Sequence, residues 1–102
     1  MATVVDREVN SRIESALERA LGAWKEVPSV AREWAAWDDE SRLHFEVDWA
    51  VQEDLLIQLK QWHHENRLSV EQQKRYERLT DLVCRSRPTL DRLFESHKET
   101  TS

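Results

Sequence analysis

The chain is predicted to be all-α, a small antiparallel bundle of four to five helices, on three observations. Gly22 is the single glycine in 102 residues. Hairpins and bulges draw on glycine for positive φ, so a sheet fold is disfavoured. The apolar residues recur at helical spacing rather than alternating. Ser69-Val70-Glu71-Gln72 is a capping box, in which the serine accepts from the Gln72 N–H and the glutamine reaches back. One domain over residues 1–102 is expected, with an ordered core over about 6–96 and polar ends that fray.

The first helix is predicted from about Asp6 to about Glu26. Val9, Ile13, Ala16, Leu17, Ala20, Leu21 and Trp24 fall in one band at ~100° per residue. Asp6 is a candidate N-cap, and Pro28 cannot continue the backbone ladder because it lacks an N–H. Gly22 reads either as a close approach of another helix or as a tolerated glycine costing about 1 kcal/mol relative to alanine.

A short helical piece from Ser29 to about Trp37 comes next, with Ser29 as its cap and Val30, Trp34 and Trp37 on one face. Asp38-Asp39 reads as a break and restart, with Asp39 as the next cap. Residues 40–65 allow two readings. Either a helix breaks near Asp48, which caps a second piece, or one continuous helix touches neighbours on several sides. Leu43 and Val47 point one way. Trp49, Val51, Leu55, Leu56, Leu59 and Trp62 fill another band about 160° wide. Phe45 fits with neither Leu43 nor Val47. Residues 49–62 are the most apolar helical stretch and are placed at the centre of the fold.

The capped helix from Ser69 carries Tyr76, Leu79, Leu82 and Val83 inward. Pro88 disfavours helical geometry at Arg87, so the helix is expected to stop there. A final helix then starts at Pro88, with Leu90, Leu93 and Phe94 as its apolar positions.

Several function classes are set aside by the inventory. One glycine cannot write a phosphate-binding loop of either common pattern. Cys84 is alone, so neither an intramolecular disulfide nor a multi-cysteine zinc site is available. No apolar run approaches the ~18 residues of a membrane span, and MATVVDREVN lacks a signal-peptide pattern. No membrane association and a cytoplasmic location are the expectations.

Charge is distributed unevenly. The chain holds 15 Lys/Arg and 20 Asp/Glu, a net of −5. Residues 1–59 carry a net −7 and residues 60–102 a net +2. The densest acids are Asp38, Asp39 and Glu40. They read first as a solvated helix start that suits the dipole. The sharper reading extends the patch through Glu33, Glu46, Asp48, Glu53 and Asp54 into a docking surface for a basic partner or a mimic of nucleic-acid phosphate. The net negative charge argues against general nucleic-acid binding. A stripe of Lys74, Arg78 and Arg85 on the capped helix, extended by Arg87 and Arg92, is the exception to test. Glu71 and Asp81 lie on the same side, and Asp81 can pair with Arg85.

No catalytic group, cofactor or metal site is predicted. Glu40, His44 and Asp48 share a helical stripe of reasonable ligands, but no diagnostic metal spacing is present. His63 and His64 point about 100° apart near a helix C-terminus, where imidazolium suits the dipole. Cys84 reads as a small buried residue. Arg92-x4-His97 resembles the Arg/His pattern of HEPN-domain ribonucleases over those two residues, and the resemblance implies RNA cleavage. No activated constellation supports an enzyme.

The five tryptophans point to a partner. Trp24, Trp34, Trp37, Trp49 and Trp62 each carry about 200 Å² of surface, more than a slim bundle readily covers. Trp49 and Leu56 lie at about 220–240°, whereas Val51, Leu55 and Trp62 lie at about 80–120°. Either the whole band is one wide internal face, or one edge faces the core and the other a partner. On the second reading the edge with Trp49, Leu56, Trp37 and Trp34 is the candidate partner-binding set. The predicted function is a non-enzymatic protein–protein interaction module, a homodimer or the small regulatory partner of another protein, antitoxin-like by analogy. The alternative is a DNA-binding regulator using Ser69–Phe94.

Overall fold

The computed structural model describes the backbone of residues 4–101 and the side chains of residues 7–96. Every regular element among them is helical. The order is α1 (Val4–Lys25), α2 (Val27–Glu33), a 3-10 turn (Trp34–Ala36), α3 (Asp39–His64) and α4 (Val70–Thr101). Three helices are long and α2 is a two-turn connector. The molecule measures 55 × 22 × 19 Å. Its length follows from α4, whose 32 residues span about 48 Å at ~1.5 Å per residue.

The path runs up, down and up. Gln72 near the start of α4 bonds to Asn10 and Glu14 near the start of α1, so those two helices run parallel. Phe45 of α3 lies 6.0 Å from Phe94 of α4, and His63 of α3 stacks 4.7 Å from Tyr76, so α3 runs against α4.

α1 occupies the middle. Ile13, Leu17, Ala20 and Trp24 have no exposed surface, and Ala16 is buried with them. Its small residues let α3 and α4 approach from two sides. The predicted centre, residues 49–62, is displaced to a flank: only Trp49 and Leu59 of α3 are buried. The α3 apolar residues are spread over more than one side, whereas those of α1 form one compact band.

Pro28 sits in the first turn of α2, where its missing N–H is tolerated. The helix therefore starts at Val27, two residues ahead of the predicted start. Ser29 is not its cap; its hydroxyl accepts a bond from Arg32 at 3.0 Å. Asp38, not Asp39, caps α3 by accepting from the Ser41 N–H at 2.8 Å. α3 is continuous through Asp48, which is exposed and caps nothing.

α3 ends in a Schellman turn. The Arg67 N–H donates to the Trp62 carbonyl at 2.9 Å and the Asn66 N–H to the His63 carbonyl at 3.1 Å. Asn66 has φ 60°, the left-handed conformation usually given to glycine. Asparagine in this position is how a chain with one glycine makes its tight reversal. The predicted capping box follows, with both reciprocal bonds formed at 3.2 and 2.9 Å. Gln72, 1% exposed, then uses its amide N–H groups on Asn10 and Glu14 at 2.8 and 3.0 Å. A local start signal thus doubles as a tertiary tie.

The predicted stop at Arg87 does not occur. α4 passes through Pro88 without interruption, so there is no separate final helix. Pro88 and Cys84, whose carbonyl loses its partner, are both exposed, and water can serve that carbonyl. Leu79 and Leu90 on either side of the proline are buried, and this packing holds the helix together. Cys84, expected inside, is on the surface. The predicted Asp6 cap and the fraying of the chain ends fall outside the described side chains, although the backbone is already helical at Val4.

Candidate interaction surface

The acidic first turn of α3 and the tryptophan connector meet in one aromatic cluster. Trp34 is buried, with Phe45 edge-on at 5.8 Å and Trp37 tilted at 5.6 Å. Phe45 in turn stacks on Trp49 at 5.4 Å, and Trp49 meets Trp24 edge-on at 4.9 Å. Phe45, unplaced by its angle, is thus the link between the connector and the core. Arg42 closes the cluster on one side. Its guanidinium donates to the Trp34 and Ala35 carbonyls at 3.0 and 3.2 Å and lies 5.8 Å over the Trp34 ring.

This geometry relocates the candidate partner-binding residues. Trp49 and Trp34 are 5% and 6% exposed and face the protein's own core. Leu56 is half-buried against the same core. Trp37 is half-buried and keeps part of its ring at the surface. The indole N–H groups of Trp24 and Trp49 are buried with no hydrogen-bond partner among the described residues.

A different set of apolar side chains is outward. Leu43, Val47, Val51 and Ile57 are 52%, 63%, 53% and 65% exposed. At ~100° per residue they lie within about 120° of one another, on the side of α3 away from α1 and α4. From Leu43 to Ile57 the face is about 21 Å long. The angle of Leu43 and Val47 away from the Trp49 band was its sequence signal. Val51 falls at the edge of the Trp49 band and reads as inward, whereas Ile57 lies about 40° from Leu43 and carries the same outward signal.

Acids frame this face and also interrupt it, with exposed Asp54 lying between Val51 and Ile57 at ~100° per residue. Residues 39–58 contain six Asp/Glu, one Arg (Arg42) and one His (His44). Asp38 is committed to the cap, and hydrogen bonds from Ser41 hold its carboxyl below the usual range. Asp39 pairs with Arg42 at 3.5 Å, and Glu53 is gripped by Arg87. Glu40, Asp48 and Asp54 remain exposed beside the apolar side chains.

The other candidate features disperse. No group of three or more His, Cys, Asp or Glu side chains among the described residues could hold a metal ion, and Glu40, His44 and Asp48 do not converge. His63 lies 3.2 Å from Gln73 Oε1 and against Tyr76, whose hydroxyl is pushed up by burial. Lys74, Arg78 and Arg85 do share an exposed face of α4. Glu77 and Asp81 are interleaved with them, and Arg85 is paired with Asp81 at 2.9 Å. Arg87 faces Glu53, not solvent-borne phosphate. The His97 side chain of the Arg/His pattern lies outside the described residues, while Arg92 reaches Thr89 at 3.4 Å. No described helix is long and apolar enough to cross a membrane. Compared with protein-family models, curated proteins and solved structures, the chain matches none.

Proposed function

We propose that this chain is a non-catalytic interaction module that docks a basic amphipathic helix of another protein on the outer face of α3. The observation that carries the reading is the exposure of Leu43, Val47, Val51 and Ile57 along one helix face. Contiguous apolar side chains in a charged frame mark interaction sites, and lone exposed ones do not. Helix-on-helix docking uses anchors at such i, i+4 spacing.

Charge decides between a second copy and a different partner. Two copies of this face would bring the acids Glu40, Asp48 and Asp54 of one copy near those of the other, and like charges across an interface are costly. A partner helix with an apolar stripe and lysine or arginine on its flanks meets both requirements. The acidity then suits a regulatory subunit.

The test is selection from a displayed library of amphipathic helices with randomised flanks, with sedimentation of the protein alone as a companion. The expected result is enrichment of basic flanks, binding lost in Val47→Asp, and a monomer in sedimentation. Binders without charge bias, binding unaffected by Val47→Asp, or a dimer that Val47→Asp dissolves would each overturn the proposal.

A further inference from the structure

Beside the apolar face, Trp37, Ser41, His44, Phe45 and Asp48 line an open cleft of about 370 Å³. Two of its walls are aromatic. The Trp37 and Phe45 rings stand at 70° to each other with centroids 5.9 Å apart, which makes a corner rather than a stack. At its edge sits Asp48, exposed and without an ion pair or hydrogen bond among the described residues. An aromatic face attracts a cation through its quadrupole, and a carboxylate supplies the counter-charge.

The same aromatic cluster already holds one guanidinium. Arg42 lies over Trp34 and is engaged by two carbonyls and Asp39. The cleft has rings of the same kind and a carboxylate, and no Lys or Arg lines it. Asp48 follows Val47 directly and lies one turn before Val51, so the cleft opens at the margin of the docking face.

We infer that this cleft receives an arginine side chain of the partner helix, its guanidinium stacked in the Trp37–Phe45 corner and paired with Asp48. Arginine fits better than lysine because a flat guanidinium can lie on a ring and present two N–H groups to one carboxylate. The inference rests on the docking reading for the source of the arginine, but the chemistry of the cleft is testable alone.

The experiment is an NMR titration of the whole chain with N-acetyl-arginine amide at about pH 8. The indole N–H of Trp37, assigned by loss of its signal in Trp37→Phe, is the readout. The expected result is a saturable shift with the arginine amide, at least about threefold weaker binding of the lysine amide, and none of the uncharged citrulline amide. Asp48→Asn, at an exposed position with no partner, should fold normally and bind the arginine amide at least about fivefold more weakly. No saturable shift, equal binding of citrulline or lysine, or an unchanged affinity in Asp48→Asn would overturn the inference. Those failures leave the docking face untouched, whereas failure of the helix selection leaves the amide titration to stand or fall by itself.

Discussion

Arg87 grips Glu53 with both terminal guanidinium nitrogens, at 3.2 and 2.9 Å, one residue before the proline inside α4. The same guanidinium lies 5.1 Å over the Trp24 ring. One side chain therefore joins α4 to α3 and covers the core tryptophan of α1. It also removes Glu53 from the acids available to a partner and itself from the basic stripe. The two-pronged geometry makes the pair worth more than an ordinary surface ion pair. Arg87→Ala should lower stability by about 1–2 kcal/mol, read from urea unfolding. Arg87→Lys should recover less than half of the loss, since an ammonium cannot reproduce the fork. Full recovery by lysine would show that charge alone matters there.

Two helix-breaking residues are carried without structural need. A Cβ built at Gly22 meets nothing within 4 Å, so the close-approach reading of that glycine is set aside. Gly22→Ala should stabilise by about 0.5–1 kcal/mol. Pro88→Ala restores a donor to an uninterrupted helix and should stabilise by about 1–2 kcal/mol, the gain being trimmed by the freer unfolded chain. Together they should raise Tm by roughly 6–15 °C. A lower Tm for Pro88→Ala in a thermal scan would mean that the proline shapes α4 in a way the packing needs.

Acid should loosen the α1–α4 tie. Bonds from Gln72 and then Arg75 hold the Glu14 carboxyl below its ordinary value of 4.5. A group whose folded value is depressed stabilises the fold in full above its unfolded value and loses that contribution as pH falls through the folded one. The stability gap between the protein and Glu14→Gln should therefore be constant from pH 7 down to about 5 and close below about 4. A gap that persists unchanged at pH 3 would assign the effect to packing instead.

Much of the architecture was legible because it is local. The α1 band, the Ser69–Gln72 capping box and the Asp38–Asp39 restart are written within one or two turns of chain. What escaped depended on neighbours. Pro88 reads as a boundary by propensity, yet Leu79 and Leu90 anchor both sides of it and carry the helix through. Trp49 and Trp34 read as surplus surface, yet Phe45, a residue with no place on the helical wheel, bridges them into one aromatic core. Val51 is indistinguishable in sequence from the core positions, and Ile57 is marked only by its angle beside Leu43. Only the placement of α1 and α4 on the other side of α3 turns them outward. The acidic frame, by contrast, was visible from composition, because exposed charge needs no partner to be read.

The docking face is tested most directly by methyl NMR with two synthetic helices that share one apolar stripe, one flanked by arginine and lysine and the other by glutamate. The helix with basic flanks should shift the methyl signals of Leu43, Val47, Val51 and Ile57 together and lose affinity as salt rises. The glutamate version should leave them in place. Equal shifts from both helices, shifts confined to α4, or no shift from either would contradict an acidic-framed docking surface on α3.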